Sequence, residues 1–427
     1  MKKLIVFSLF LFLVINLKGY ALADEPDISA EAAILIDVDT GTILYEKNIH
    51  EKMYPASTTK ILTGIIAIEK GNLDQKITVD KETPYEIQGS HIALEPDEIV
   101  TMRDLIYATL IESANDAAAV VGKHISGSTE EFTKLMNNKA KELGAKNTNF
   151  INANGLHSNN HTTTAYDLAM ITKYAMQNDL FKNIVSTYTY TIDPTNKKTI
   201  PRYLKSSNKL LYGTDKINVN GNNVAIKYDG VIGVKTGYTP EAQSCLVSAA
   251  ERNGQRLISV VLKTTGNNVF IDTHKLLNYG FDNFSSVKLA FKNEFIDNIE
   301  VENGDISIVT GIIGDDLFAL IPKGRESEVK RNIVLPDKVS APVSKGQVIG
   351  KIELKLDSKI IETTNIISAM EINQKGAFAI SNLQTNSTIL NKWWLWLIIF
   401  FILWRTSVEF KRRKIKKRRQ SSYFYMK

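Results

Sequence analysis

The sequence has almost no cysteine: Cys245 is the single one in 427 residues. One thiol excludes an internal disulfide. Its neighbours Ser244, Leu246 and Val247 are typical of a strand, and no histidine or aspartate pattern marks the thiol as a nucleophile. We therefore interpret Cys245 as a thiol packed in the core.

The body of the chain also lacks the positive charge of a nucleic-acid-binding protein. The formal net charge is +6, but residues 405–427 contribute +9 and residues 1–23 contribute +3. Residues 24–404 therefore carry about −6. A mildly acidic body argues against a nucleic-acid partner.

The N-terminus has the three parts of a secretory signal. Lys2 and Lys3 form a charged start, residues 4–17 are mostly apolar, and Ala21-Leu22-Ala23 is a small-x-small cleavage pattern. These features predict that residues 1–23 are removed and that the mature chain begins at Asp24, outside the cytoplasm. A retained anchor helix is the alternative.

The C-terminus has the pattern of a membrane anchor. Residues 393–404 contain no polar side chain, and a cluster of lysine and arginine follows within residues 411–427. A helix over residues 389–410 would be about 33 Å long, enough to span the hydrocarbon core, with the basic tail in the cytoplasm. The alternative is a helix that lies in the interface, and both interpretations tether the protein to a membrane.

Between these ends, strands flank a series of helices. This pattern predicts an α/β domain of the α+β type over residues 24–283, in which an antiparallel sheet packs against helices. Asn253-Gly254 indicates a tight hairpin between two of its strands. Residues 284–375 alternate like half-exposed strands, which predicts a small β-sandwich acting as a spacer or docking module. Residues 376–388 are typical of a linker.

One segment carries the parts of an acyl-transfer nucleophile. Ser57 and Lys60 lie three residues apart at the start of a predicted buried helix, which begins near Pro55 and ends at Gly71. Residues at this spacing have Cβ atoms about 5–6 Å apart on one face, so the amine can reach the hydroxyl. The helix N-terminus adds positive potential where an oxyanion would form. The same S-x-x-K spacing also occurs at Ser206/Lys209, Ser285/Lys288 and Ser327/Lys330.

Two further motifs follow Ser57 in order. Ser113-x-Asn115 lies at a predicted link between helices, and Lys235-Thr236-Gly237 ends a predicted strand. The ordered set resembles that of the serine penicillin-recognising enzymes. Longer segments resemble the D-alanyl-D-alanine carboxypeptidases, the low-molecular-weight penicillin-binding proteins, over about residues 27–282. These segments are 56–60, 113–117, 155–157, 161–169 and 235–239, and residues 340–347 resemble the trailing β-domain of the family.

This resemblance implies a membrane-tethered serine carboxypeptidase that trims peptidoglycan stem peptides and is acylated by β-lactams. Ser57 would be the nucleophile, Lys60 a neutral base and Ser113 a proton relay. The backbone N–H groups of Ser57 and Tyr238 would form the oxyanion hole, and no metal or organic cofactor is needed. The implied substrate-binding residues are Asn115, Lys235, Thr236, Gly237, Tyr238 and Thr239.

One departure from the family leaves the substrate preference open. Many relatives place an arginine near the substrate carboxylate, after the second hairpin strand, whereas residues 264–272 here contain no basic side chain. A D,D-endopeptidase, a β-lactamase and a catalytically impaired wall-binding protein therefore stay as alternatives. We interpret His157 and His161 as structural residues of a loop and a helix start.

Overall fold

The computed structural model describes residues 24–375 and 393–422, which form two compact units. The first comprises the described residues up to Leu289 together with Phe318–Val329. The second comprises Ala290–Leu317 and the described residues from Lys330 onward. The predicted signal segment, the linker and residues 389–392 lie outside the described residues.

In the first unit, strands near both ends flank a series of helices, as the sequence predicts, and further short strands lie between them. The helices are α1 (Lys60–Lys70), α2 (Thr83–Glu86), α3 (Met102–Tyr107), α4 (Asn115–Ser126), α5 (Thr129–Glu142), α6 (Ala165–Ala175), α7 (Asp179–Ser186), α8 (Asn268–Asn283) and α9 (Trp393–Ser422). The strands are β1 (Ala32–Asp37), β2 (Ile43–Lys47), β3 (Lys76–Thr78), β4 (Ile99–Thr101), β5 (Thr189–Ile192), β6 (Arg202–Lys205), β7 (Lys216–Val219), β8 (Asn222–Ala225), β9 (Val231–Thr239), β10 (Gln243–Arg252), β11 (Gln255–Thr264), β12 (Phe284–Ala290), β13 (Phe295–Glu302), β14 (Ile308–Ile313), β15 (Leu317–Pro322), β16 (Lys330–Val334), β17 (Lys338–Ser340), β18 (Val348–Leu356) and β19 (Lys359–Ser368).

An antiparallel sheet forms the centre of the first unit. Its strand order is β2-β1-β11-β10-β9, so β9 lies at one edge. The predicted hairpin between β10 and β11 is confirmed, because Arg252 pairs with Gln255 across Asn253-Gly254. Both turn residues have positive φ, which asparagine and glycine tolerate best.

The sheet is buried on both faces. Along β1, Ile34 and Ile36 join one hydrophobic cluster, which includes residues of α1, α4 and α6. Ala33 and Leu35 point to the other side and join a second cluster, which includes α8. Strand alternation thus produces three layers, and it confirms the predicted packing of helices on an antiparallel sheet.

The second unit contains a six-stranded sheet in the order β16-β18-β19-β14-β13-β17, which confirms the predicted β character of this part of the chain. Helix α9 follows later in the chain. Among the residues that the structure describes, no helix meets the length and hydropathy of a membrane span.

Candidate active site

Ser57 lies on a short 3₁₀ turn, Ala56–Thr59, that leads directly into α1. The sequence predicts a single helix here, but the α-helical part begins only at Lys60. Ala56 has a φ of +47°, a left-handed conformation that is unusual for alanine. The turn also packs closely on Gly155, where a Cβ would lie 1.9 Å from the Ala56 carbonyl oxygen. Only glycine fits at position 155.

Lys60 is fully buried and points at Ser57. Its Nζ lies 3.0 Å from Ser57 Oγ, 2.6 Å from Asn115 Oδ1 and 2.6 Å from the backbone oxygen of Asn154. Burial lowers the pKa of Lys60 well below its usual value, and the nearby charge of Lys235 lowers it further. A neutral amine that donates two hydrogen bonds to the other oxygens has a lone pair free to accept the Ser57 proton.

An unusual helix end positions the second motif. The chain forms a π-helical turn over Ala108–Glu112 and stops at Ser113, whose φ is +68°. Asn115 then begins α4, and its side chain is held at both ends. Oδ1 accepts from Lys60, while Nδ2 donates to the Gln88 carbonyl at 2.6 Å. The predicted link between two helices is confirmed, whereas the π turn was not predicted.

The third motif lies on the edge strand β9. Lys235 is 1% exposed, and its Nζ donates to the Thr236 carbonyl at 3.0 Å. Burial lowers the pKa of Lys235 to about 7, partly opposed by the charge of Glu112. Tyr238 is 69% exposed on the same strand. The Thr239 hydroxyl accepts from the Ala242 N–H at 3.0 Å.

Gly237 brings β9 into backbone contact with the Ser57 turn. A Cβ at this position would lie 3.0 Å from the Pro55 carbonyl oxygen and 3.1 Å from the Ser57 nitrogen. The next residue along the strand is Tyr238, which follows this contact directly. The second motif thus reaches Ser57 through the bond of Asn115 to Lys60, and the third through the backbone contact of Gly237.

Other S-x-x-K pairs do not build such a site. Lys209 forms an ion pair with Asp215, and the Ser285 hydroxyl donates to Glu326. Cys245 is buried, and burial raises its pKa to about 11, which agrees with a core thiol.

Comparisons with known proteins agree with this geometry. Residues 20–266 match the family described as D-alanyl-D-alanine carboxypeptidase, and residues 284–374 match the C-terminal domain of penicillin-binding protein 5. The chain belongs to the D-alanyl-D-alanine carboxypeptidase family.

Individual members of this family match over most of their length. The carboxypeptidase DacF of Bacillus subtilis is 34% identical over 354 residues, which cover 81% of this chain and 87% of the relative. The crystal structure of penicillin-binding protein 5 from Haemophilus influenzae is 30% identical with a TM-score of 0.71, and the match covers 82% of this chain and 100% of that one. Penicillin-binding protein D2 of Listeria monocytogenes, solved in an ampicillin-bound form, is 31% identical with a TM-score of 0.50, over 60% of this chain and 100% of that one.

The carboxypeptidase fold also uses residues that the sequence did not assign to the site. The backbone oxygen of Asn154 is a partner of Lys60 that no side-chain motif reveals. His161 Nδ1 accepts from the Ile151 N–H, so its Nε2 carries the proton and donates to the Thr59 hydroxyl at 2.8 Å. Thr59 in turn donates to the Ala56 carbonyl at 2.9 Å. Burial, with the charges of His157 and Lys60, lowers the pKa of His161 to about 4, so the ring is a neutral support of the Ser57 turn.

Ser207 is a further residue that the sequence did not assign. Its Oγ lies 2.8 Å from Thr236 Oγ1, beside the Lys235 motif. Residues 264–272 contain no basic side chain. Lys263, just before that segment, forms an ion pair with Glu31 at 2.5 Å.

Proposed function

We propose that this family member is a serine carboxypeptidase that removes the terminal D-alanine from peptidoglycan stem pentapeptides. The observation that carries the proposal is the buried amine of Lys60, which has a lowered pKa and lies 3.0 Å from the Ser57 hydroxyl. A base in hydrogen-bond contact with a serine is what covalent acyl transfer requires.

The reaction proceeds in two halves. Neutral Lys60 takes the Ser57 proton as Oγ attacks the carbonyl of the penultimate D-alanine. The N–H groups of Ser57 and Tyr238 stabilise the negative oxygen that forms. Ser113 relays this proton from Lys60 to the nitrogen of the departing D-alanine as the C–N bond breaks, leaving an ester on Ser57 and a neutral Lys60. Water then attacks this ester, releases the shortened peptide and restores the serine.

Substrate recognition rests on β9 and on Asn115. Lys235, with the hydroxyls of Thr236 and Thr239, binds the free terminal carboxylate, which favours removal of a C-terminal residue over internal cleavage. The open edge of β9 accepts the peptide as an added strand. Asn115 orients both Lys60 and the substrate amide, consistent with its hydrogen bonds at each end of the side chain.

β-Lactams enter the same reaction because their ring is an acyl donor of similar shape. The ampicillin-bound form of the Listeria relative supports this part of the proposal. A D,D-endopeptidase would use nearly the same side chains on a cross-linked dimer. Turnover of a free pentapeptide against such a dimer separates the two activities.

The location follows from the two ends of the sequence. We infer export by residues 1–23, a catalytic domain over 24–283, a β-domain over 284–375 and a linker over 376–388. Residues 389–410 attach the protein to the membrane, and the basic tail 411–427 lies on the cytoplasmic side. The support for attachment is the apolar run, followed by clustered basic residues.

Release of D-alanine tests the proposed activity. The full chain in detergent is given a pentapeptide that ends in D-Ala-D-Ala, and free D-alanine is measured before and after fluorescent penicillin. We expect release that penicillin blocks, and none from Ser57→Ala. Ser285→Ala, a serine from another S-x-x-K pair, is the matched control and should retain full activity. Labelling without release would instead indicate an impaired site.

A further inference from the structure

We propose that Ser207 is a specificity residue that binds the terminal carboxylate of the substrate together with Thr236. This inference rests on the proposed function and names a group in its carboxylate subsite. The two hydroxyl oxygens lie 2.8 Å apart, so one hydroxyl donates to the other in the free enzyme. A carboxylate with two acceptor oxygens can replace this contact by accepting from both hydroxyls.

The backbone holds Ser207 in place without help from its side chain. Its N–H donates to the Ile111 carbonyl at 3.0 Å, and the N–H of Ser206 donates to the Tyr188 carbonyl at 2.8 Å. Ser206 is buried, whereas Ser207 is exposed. The contact with Thr236 is the only hydrogen bond of the Ser207 hydroxyl within the part of the chain that the structure describes. Removing this hydroxyl should therefore affect ligand binding more than folding.

The position of Ser207 places it on the leaving-group side of the site. Ile111, its backbone partner, lies two residues before Ser113, the proposed proton donor to the departing D-alanine. Thr236, its side-chain partner, follows Lys235. The terminal carboxylate belongs to this same departing residue, so we expect it to sit beside Ser207.

The charge near Ser207 favours an anion. Lys205 and Ser207 are both exposed around buried Ser206, as expected for an extended chain that presents alternate residues on one face. The Lys205 ammonium lies 4.7 Å from the ring centre of Tyr212 and 5.5 Å from that of Tyr188. Among the described residues it has no carboxylate partner within ion-pair distance. Lys205 and Lys235 are thus close in sequence to the two hydroxyls, and the Glu112 carboxylate, which accepts from the Lys205 N–H at 2.8 Å, offsets part of their positive charge.

Two substrates that differ only at the C-terminus test the assignment. One pentapeptide ends in a free D-alanine carboxylate and the other in D-alaninamide. We expect Ser207→Ala to lower kcat/KM roughly tenfold on the carboxylate substrate, mostly through KM, because a hydrogen bond to a charged group is lost. Turnover of the amide should change less than about twofold. Ser207→Thr keeps a hydroxyl and should restore the preference.

The control is Ser186→Ala, another exposed serine, whose hydroxyl donates only to the carbonyl of Asn183 in its own helix. It should leave both substrates unaffected. Equal losses on both substrates with Ser207→Ala would mean a structural role and overturn the assignment, as would no loss on either.

A second readout separates this inference from the proposed function. The rate of acylation by a penicillin is compared with that by its carboxylate methyl ester, which needs no turnover of peptide. Ser207→Ala should slow acylation by the free acid and not by the ester. Absence of D-alanine release by the unaltered enzyme would count against the proposed function, whereas the acylation ratio would still decide the role of Ser207.

Discussion

Gly237→Ala adds one methyl group at the contact between β9 and the Ser57 turn. We expect this variant to fold and to be acylated more slowly. An alanine Cβ would lie 3.0 Å from the Pro55 oxygen, 3.1 Å from the Ser57 nitrogen and 3.2 Å from the Ala56 Cβ. None of these atoms can move by side-chain rotation, so β9 and the Ser57 turn must separate by about 0.2–0.4 Å to reach ordinary contact distances. The proposed oxyanion hole, made of the N–H groups of Ser57 and Tyr238, spans this contact and would widen with it.

The size of the effect follows from this displacement. A 1 Å misplacement in an active site costs on the order of 100-fold in rate, so a third of that costs roughly fivefold. Overpacking costs about 1–3 kcal/mol, which lowers Tm by roughly 3–10 °C. We therefore expect Gly237→Ala to fold, to slow penicillin acylation about fivefold, and to raise KM for the pentapeptide little.

Stopped-flow acylation with fluorescent penicillin and thermal unfolding measure both effects. Gly221→Ala is the control, because Gly221 has a φ of +85° but no atom within 4 Å of an added Cβ. It should lower Tm and leave acylation unchanged. Unaltered acylation by Gly237→Ala would refute the idea that the backbone contact between β9 and the Ser57 turn shapes the oxyanion hole.

Three further predictions concern charge. Burial lowers the pKa of Lys235 to about 7, and in its proposed role this residue binds a carboxylate only when protonated, so kcat/KM for a carboxylate-ended substrate should fall about tenfold per unit above pH 7; an identical profile for an amide-ended substrate would contradict this. Asn115→Asp places a negative charge 2.6 Å from the Lys60 amine, so it should raise the pKa of Lys60 and move the acidic limb of the acylation profile up by roughly 1–3 pH units. Burial lowers the pKa of His161 to about 4. Its neutral ring therefore contributes up to about 3 kcal/mol to the free energy of unfolding above pH ~6.5. This contribution is lost as the pH falls from ~6.5 through 4. Chemical unfolding of His161→Gln should show a weaker pH dependence over this range than unfolding of the unaltered protein.

The sequence predicts those parts of the fold that short-range patterns determine. The hairpin at Asn253-Gly254 depends on neighbours within a few residues. The motif order also predicts which serine has partners. Local patterns therefore account for this hairpin, and the order of the three motifs accounts for the choice of Ser57.

Other features depend on contacts between distant segments. The π turn before Ser113 and the left-handed Ala56 have no local signal, because packing imposes them. The Asn154 carbonyl oxygen contacts Lys60 although the two residues are 94 positions apart in the chain. Ser207 and Thr236 are 29 positions apart. Since a backbone oxygen carries no residue identity and no motif marks Ser207, neither contact was predictable.

The central claim is that Ser57 forms the acyl-enzyme, with Lys60 as its base. The most direct measurement is mass spectrometry of the peptide that contains Ser57 after brief exposure to penicillin at several pH values. We expect one penicilloyl group on Ser57, added at a rate that rises as Lys60 loses its proton, and none in Ser57→Ala. A label on another residue, or one that persists in Ser57→Ala, would contradict the account.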